Sequence, residues 1–237
     1  MKNLGLLLLL CFSLTARAQK VLIEDANVEV RELNGSFDRI KVSGGIQLYL
    51  SQDDDVKVAV SSSDADVVSG IKTRLDGTTL HIYFDGDKKW YKRNRTMRVY
   101  VSFRDLAKLE GSGATELRFE NEIKLPRLDI HISGASDLFG TLNVDDLSLN
   151  MSGASDAKLK GRAEKLSLEC SGASDFKGYD LLSVNCQVQA SGASDLQLHV
   201  DKELSADASG ASSIYFKGNG VLKNIHTSGA SEIARKD

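Results

Sequence analysis

The stretch "SGASD" at residues 133–137 recurs three times without change in this chain of 237 residues. Looser versions extend the series, as in Ser112-Gly113-Ala114-Thr115-Glu116. The seven copies begin at residues 112, 133, 152, 171, 191, 209 and 228. A nearly fixed period of about nineteen residues is typical of a solenoid, in which each repeat forms one turn of a stack. The repeat therefore predicts a solenoid over residues 112–237.

Apolar residues alternate with polar ones on both sides of the motif. Leu128, Ile130 and Ile132 precede the copy at 133, and Leu196 and Leu198 follow the copy at 191. Alternation with period two indicates a strand that buries one face. A short repeat with two or more strands and no helix predicts an all-β fold, the parallel β-helix or β-solenoid.

Each residue type of the motif suits a tight corner between two strands. Glycine permits the backbone angles that a corner needs, and serine and aspartate side chains can bond nearby backbone groups. The small alanine is expected to point into the core, where the corner is crowded. A looser second turn is expected at the glycines that follow the motif, namely Gly140, Gly161, Gly178 and Gly218.

Residues 19–111 lack the motif but keep the alternating pattern. The alternating stretches are 39–52, 56–63, 71–84 and 97–103. Val42-Ser43-Gly44-Gly45-Ile46 is similar to a diverged corner, and Asp76-Gly77 predicts a hairpin turn. We therefore expect irregular coils or a lobe over 19–111 and regular coils over 112–237. No window has a convincing helical period.

The first eighteen residues have the pattern of a secretory signal peptide. Met1-Lys2 is basic, residues 4–14 form an apolar run, and Ala16-Arg17-Ala18 is a small-x-small cleavage site. A lipoprotein would use Cys11, but Leu10 precedes it where a small residue is expected. We expect the mature chain to be exported, to the periplasm or to the cell surface, and to have no transmembrane segment.

The stretches "FDRIKVSGGIQLYLSQ" (37–52) and "SGIKTRLDGTTLHIYF" (69–84) are followed by the Ser-Gly-Ala-Ser ladder. Together they resemble the head GIN domain family of putative auto-transporter adhesins, common in Bacteroidetes. The family's Gly-Ile-Asn signature corresponds to Gly45-Ile46-Gln47, with glutamine in place of asparagine. The resemblance covers one continuous domain over 37–237. It implies an exported β-helix with an adhesive role at a surface, and it brings no catalytic residues.

The aspartates that end the motif form the first candidate site. On adjacent coils they would make an acidic ladder of Asp137, Asp156, Asp175 and Asp195. Unit charges 4.8 Å apart in water repel by roughly 0.9 kcal/mol before salt screening. We expect a structural role for the ladder in capping turns. Calcium binding is the open alternative, although the Gly-Gly-x-Gly-x-Asp pattern of calcium-binding β-rolls is missing; we expect no cofactor.

The stretch "DKKWYKRNRTMR" (87–98) forms the second candidate site. Basic side chains surround its two aromatic ones, and a turn signal at Asp85-Gly86 precedes it. Aromatic rings beside basic groups can stack on sugars and hold anionic substituents. The candidate ligand-binding residues are Trp90, Tyr91, Lys92, Arg93 and Arg95. The alternative is a solvated loop whose aromatic rings pack on the N-terminal coils.

Catalysis has little support in the sequence. A nucleophile needs a nearby base and an orienting group, whereas the four histidines are scattered without metal-ligand spacing. They are His81, His131, His199 and His226. His131 and His226 share a repeat offset but lie five coils apart. We predict that the protein is not an enzyme, with a carbohydrate-active β-helix enzyme as the weaker alternative.

Cys170 and Cys186 are the cysteines of the mature chain. Parity turns both side chains inward, but four residues of strand place them roughly 13 Å apart. That distance is too long for a disulfide unless the coil is irregular. We therefore expect two buried free thiols.

These observations together predict an exported binding protein, an adhesin-like module for a carbohydrate or a cell-envelope surface component. The alternative is a structural or assembly protein of the envelope with protein partners. Homo-oligomers are compatible with open coil ends. The formal net charge of −3 argues against a nucleic-acid binder.

Overall fold

Strands make up most of residues 27–86 and 96–236, the part of the chain that the computed structural model describes. The predicted signal peptide and the five residues proposed in the 87–98 stretch lie outside these ranges. The elements are β1 (Asn27–Arg31), β2 (Arg39–Gly44), β3 (Ile46–Gln52), β4 (Lys57–Ser62), α1 (Ala65–Gly70), β5 (Ile71–Asp76), β6 (Thr79–Phe84), β7 (Met97–Phe103), β8 (Lys108–Gly113), β9 (Glu116–Ile132), β10 (Asp137–Met151), β11 (Asp156–Cys170), β12 (Asp175–Ala190), β13 (Asp195–Ala208), β14 (Ser213–Lys217), β15 (Val221–Thr227) and β16 (Glu232–Arg235).

The repeats stack as parallel coils, which confirms the predicted β-solenoid. Each of the strands β9 to β13 runs from one motif to the next and pairs in parallel with its neighbours. The pairing of β9 with β10 skips Pro126 and Asp145, and its register also shifts between Phe139 and Thr141. We call the part after the motif, such as 137–144, the leading side. The part before the next motif, such as 146–151, is the trailing side.

Apolar side chains of equal position lie above one another inside the solenoid. Leu147 of β10 is in register with Leu128 and Leu166, and all three are buried. Leu138 and Leu117 are in register and buried on the leading side. Burial of such side chains contributes about 25 cal/mol per Å² of apolar surface removed from water. The predicted period-two strands therefore provide the core.

The corner glycine is required by conformation and by space. Gly134 has φ +84°, and a Cβ atom built on it would lie 2.4 Å from the carbonyl oxygen of Gly113 in the coil below. The coils approach so closely because Ala135 N–H donates a 2.7 Å hydrogen bond to the same carbonyl. Only glycine satisfies both conditions.

The prediction that the motif alanine points inward is wrong. Ala135 is exposed, whereas Ser136 is fully buried. The Ser136 hydroxyl donates to the carbonyl of Ser133 at 2.8 Å. The same bond closes the later corners, at Ser155, Ser174, Ser194 and Ser212. A corner carbonyl away from water needs a donor, which serine supplies and alanine does not.

The expected second turn is not a break in the chain. Gly140, Gly161 and Gly178 all lie inside continuous strands, and the register with a neighbouring strand shifts at Gly140 and beside Gly178. Of these three glycines only Gly161 has a positive φ, +106°. Gly218 alone follows the end of its strand.

The N-terminal strands continue the stack. β2 and β3 are joined by Gly45, and Gly44 is in register with Gly113 of the first regular corner. Ala114 N–H donates to the Gly44 carbonyl at 3.2 Å, which confirms the diverged corner. The predicted hairpin at Asp76-Gly77 joins the antiparallel strands β5 and β6.

Antiparallel strands and a short helix cover the N-terminal end of the stack. β4 pairs antiparallel with both β1 and β7, so this end departs from a purely parallel helix. Helix α1 follows β4, and the sequence pattern missed it because six residues are too few for a helical period to show. Asp64 caps it by accepting a hydrogen bond from Asp66 N–H at 2.9 Å. Val67 and Val68 bury its inner face.

The C-terminal end is less covered. Strand β15 is largely exposed, including 59% of Val221 and 43% of Leu222. Arg235 closes part of this end, because its guanidinium lies 4.8 Å from the ring centroid of Phe216 and donates to the carbonyls of Gly218 and Gly220.

Cys170 and Cys186 are both buried and free, which confirms the prediction for the two thiols. They occupy different coils, since Cys170 is in register with Ala190 and Cys186 with Leu166. Burial raises the pKa of each thiol to about 12. Within the described ranges no helix is long and apolar enough to cross a membrane.

Candidate binding surface on the leading side

Two rows of outward side chains cross four strands of the leading side. The strands lie in the order β7, β3, β9, β10, and their parallel register aligns equivalent positions. One row is polar and consists of Arg98, Gln47, Glu116 and Asp137. The other row is mainly aromatic and consists of Tyr100, Tyr49, Arg118 and Phe139. All eight side chains are partly exposed, and we call them the platform.

The aromatic row presents flat rings. Tyr49 and Tyr100 are stacked, with ring centroids 5.0 Å apart and planes 15° apart. The Arg118 guanidinium lies 4.7 Å from the centroid of Phe139. Stacked and cation–π contacts of this kind are each worth about 0.5–1.5 kcal/mol. The row is therefore held in place before any ligand arrives.

The polar row is a chain of hydrogen bonds. Arg98 Nε donates to Gln47 Oε1 at 3.2 Å, and Gln47 Nε2 donates to Glu116 Oε2 at 3.1 Å. Arg118 pairs with the other oxygen of Glu116 at 2.5 Å, which joins the two rows. Glu116 in turn raises the pKa of Arg118. The surface thus offers oriented donors and acceptors beside flat rings.

The acidic ladder continues the polar row along the solenoid. Asp137, Asp156, Asp175 and Asp195 are in register on successive coils. Burial raises the pKa of Asp137, and the carboxylates of Asp156 and Glu116 raise it further. Lys158 and Lys177 lie in the row beside the ladder, and the charge of Lys177 partly offsets the raised pKa of Asp137. The structural role of the ladder remains a prediction.

Residues 27–86 and 96–236 contain no candidate metal-binding site. No group of three or more histidine, cysteine, aspartate or glutamate side chains there is arranged to hold an ion. His131 and His226 occupy one column, five strands apart. They therefore cannot act on one substrate atom.

The residues proposed in the 87–98 stretch lie outside the described ranges and precede β7 in the chain. Trp90, Tyr91, Lys92, Arg93 and Arg95 belong to the connection between β6 and β7. The second residue of β7 is Arg98, at the edge of the polar row. The alternating pattern of "IQLYLSQ" and "MRVYVSF" could have shown that Tyr49 and Tyr100 face outward. It could not show that β3 pairs with β7, since about fifty residues separate the partners.

Known proteins share this architecture. The family described as "Putative auto-transporter adhesin, head GIN domain" matches residues 36–220. A solved putative adhesin of Bacteroides fragilis is 20% identical with a TM-score of 0.80, covering 89% of this chain and 97% of that chain. A putative lipid binding protein of Parabacteroides distasonis is 18% identical with a TM-score of 0.66, at the same coverage. A putative adhesin of Parabacteroides merdae is 16% identical with a TM-score of 0.63, covering 89% and 96%. At these identities the structures show a common fold. No curated protein sequence matches the chain.

Proposed function

The chain belongs to the head GIN domain family of putative auto-transporter adhesins, and on this basis we propose that it is an exported adhesin-type protein that binds a surface carbohydrate through the platform. The supporting observation is the pair of rows, stacked aromatic rings beside a hydrogen-bonded polar chain. Export follows from the predicted signal peptide at residues 1–18. The protein acts by binding and not by catalysis.

A sugar ring has an apolar face and a rim of hydroxyl groups. The ring faces of the aromatic row suit the apolar face, because aromatic side chains provide large, rigid contact area. The bonded oxygen and nitrogen atoms of Gln47 and Glu116 lie one row away and suit the hydroxyl groups. Two residues along a strand separate the rows by about 6.6 Å, so one extended glycan can contact both.

Basic side chains in and beside the platform can bind acidic substituents of a glycan, while Glu116 and Asp137 balance the charge of the two arginines. Arg98 and Arg118 are members of the two rows, and Lys158 lies in register with Phe139 on the next coil. Arginine binds carboxylate and phosphate groups with paired hydrogen bonds. We propose that Trp90, Tyr91, Lys92, Arg93 and Arg95 extend the same surface beyond β7.

An envelope-assembly role with protein partners is the second candidate. The exposed strand β15, with Val221 and Leu222 at the surface, favours it. An open strand edge with apolar side chains can pair with a strand of another protein. In that case binding would involve the C-terminal end and would not depend on the platform.

The test is binding of the mature chain 19–237 to a panel of neutral and acidic bacterial and host glycans. Tyr49→Ala/Tyr100→Ala is expected to weaken binding at least tenfold, equal to about 1.4 kcal/mol. Tyr179→Ala/Tyr215→Ala is the matched control, since these two half-exposed tyrosines lie on later coils. Absence of any glycan binding, or equal loss in the control, would favour the assembly role.

A second variant tests the extension of the surface. Trp90→Ala/Tyr91→Ala is expected to lower the affinity for the same glycan, because these residues precede β7 directly in the chain. Full affinity in this variant, together with loss in the Tyr49/Tyr100 variant, would confine the site to the platform.

A further inference from the structure

A cleft of about 400 Å³ opens on the trailing side, away from the platform. Its first wall is a column of outward side chains from four successive coils. They are Glu169, Gln189, Asp207 and His226, in register with one another. Three strand spacings separate the ends of this column by about 14 Å, so the cleft runs along the solenoid axis.

The second wall is formed by the corners that follow these strands. Ser191, Ser209 and Ser228 line it with hydroxyl groups, each the first residue of its motif. Ala190 and Ala208 precede two of these corners and also line the cleft, where earlier coils carry the larger Ile132 and Met151. The cleft is therefore polar on both walls, with only small side chains between them.

The charge of the cleft is negative. Glu169 and Asp207 contribute carboxylates two strands apart, about 10 Å by strand spacing, with the amide of Gln189 between them. Asn150 Nδ2 donates to Glu169 Oε2 at 2.8 Å and orients that carboxylate. His226 is the only basic side chain among the residues that line the cleft. Such a site favours a ligand with positive charge and disfavours acidic glycans.

We propose that this cleft is a second binding site, specific for an amine-bearing oligosaccharide that lies along the solenoid axis. The carboxylates of Glu169 and Asp207 accept hydrogen bonds from ammonium groups, and charge-assisted bonds of this kind are the strong ones. Gln189 and the corner serines bond the sugar hydroxyls between the charges. A rod-like ligand along the axis meets one outward side chain of this column at each coil. The site is independent of the platform, which lies on the leading side and carries Arg98 and Arg118 among its side chains.

The experiment is calorimetric titration of the mature chain with three probes. They are a short glucosamine oligosaccharide, its fully N-acetylated counterpart, and a linear polyamine without sugar. We expect the glucosamine oligosaccharide to bind most tightly, with an affinity that falls as salt rises. The double variant Glu169→Gln/Asp207→Asn is expected to weaken it at least tenfold. Asp145→Asn/Asp201→Asn, which removes two exposed carboxylates outside the cleft, is the matched control and should retain binding.

The outcomes separate this proposal from the platform. The Tyr49→Ala/Tyr100→Ala variant should bind the glucosamine oligosaccharide with unchanged affinity. Loss of that binding in this variant would assign both ligands to one site. Equal affinity for the polyamine would show charge attraction alone and overturn the carbohydrate assignment. No binding of the glucosamine oligosaccharide, or unchanged affinity in the Glu169/Asp207 variant, would overturn the site itself.

Discussion

The corner of each coil requires a particular backbone conformation at its glycine and a particular hydrogen bond from its second serine. Its glycine must adopt positive φ within contact distance of the glycine below, as at Gly153 with φ +83°. Its second serine must satisfy a carbonyl that has turned away from water, as Ser155 does for Ser152. The alanine between them is exposed. The motif is therefore a set of local steric and hydrogen-bonding requirements, repeated because the coils repeat.

Gly153→Ala should destabilise the fold by at least about 2 kcal/mol. The left-handed conformation alone costs a residue with a Cβ roughly 1–2 kcal/mol, and the new Cβ would lie 2.5 Å from the Gly134 carbonyl oxygen. Urea unfolding of both proteins measures the difference. Ala154→Ser, at the exposed neighbour, should remain within about 0.5 kcal/mol of the wild type; equal losses in the two variants would contradict the steric account.

Asp137→Asn should stabilise the protein at neutral pH. Burial and two nearby carboxylates raise the pKa of Asp137 above its unfolded value, so ionisation opposes folding. The cost is absent below the unfolded pKa, grows as pH rises towards the folded pKa, and is complete above it. We expect a gain of about 0.2–1 kcal/mol at pH 7, as for like charges on adjacent strands, which vanishes in acid.

Thermal unfolding at several pH values measures this gain. Asp201→Asn removes a carboxylate outside the ladder and is the charge-matched control. A gain that persists unchanged in acid, or destabilisation at pH 7, would show that the Asp137 carboxylate makes a favourable contact instead.

At the scale of strands, the sequence predicts the repeated strands of the coils. It does not predict which strands pair when they are far apart in the chain. The alternation around Leu138 and Leu149 was sufficient to predict strands and their buried face. The direction of the motif alanine was mistaken, because parity is undefined at a corner where the chain turns. Helix α1 is not predicted, because its six residues are too few for a helical period of apolar residues to appear in the sequence. Tyr49 meets Tyr100 only through the pairing of β3 with β7, which no local pattern encodes.

Arg235→Ala should loosen the last coil without unfolding the others. Arg235 covers Phe216 and donates to the carbonyls of Gly218 and Gly220, and hydrogen bonds at a surface are worth about 0.5–1.5 kcal/mol each. In a solenoid each coil contacts only its neighbours, so the loss stays local. Hydrogen exchange should accelerate in 213–236 and remain slow in β10 and β11. Uniform acceleration across all strands would contradict a local cap.

At the scale of the whole molecule, one continuous core supports two surfaces of different character. The leading side carries stacked rings with arginines, and the trailing side carries a cleft with two carboxylates. Both surfaces consist of side chains from successive coils that the strand register aligns. Their function therefore depends on the stacking of the coils and not on any single loop. This dependence is the reason that single positions in the sequence predict little about binding.

The two thiols report on opening of the core as a whole. Cys170 and Cys186 are buried, and burial raises the pKa of each thiol to about 12, so the protonated thiol dominates at pH 8. A thiol reagent that needs the thiolate should therefore label the native mature chain very slowly and the unfolded chain rapidly at two sites. Rapid labelling of the native protein would show that the coils around β11 and β12 open readily.

The most direct measurement for the central claim is hydroxyl-radical footprinting of the mature chain, with and without the tightest glycan from the panel. It reports the exposure of each aromatic side chain, so the platform and its controls are read in one experiment. We predict that labelling of Tyr49, Tyr100 and Phe139 falls when the glycan binds, while labelling of Tyr179 and Tyr215 is unchanged. Protection confined to the later tyrosines, or full labelling of the platform at saturating glycan, would contradict the account.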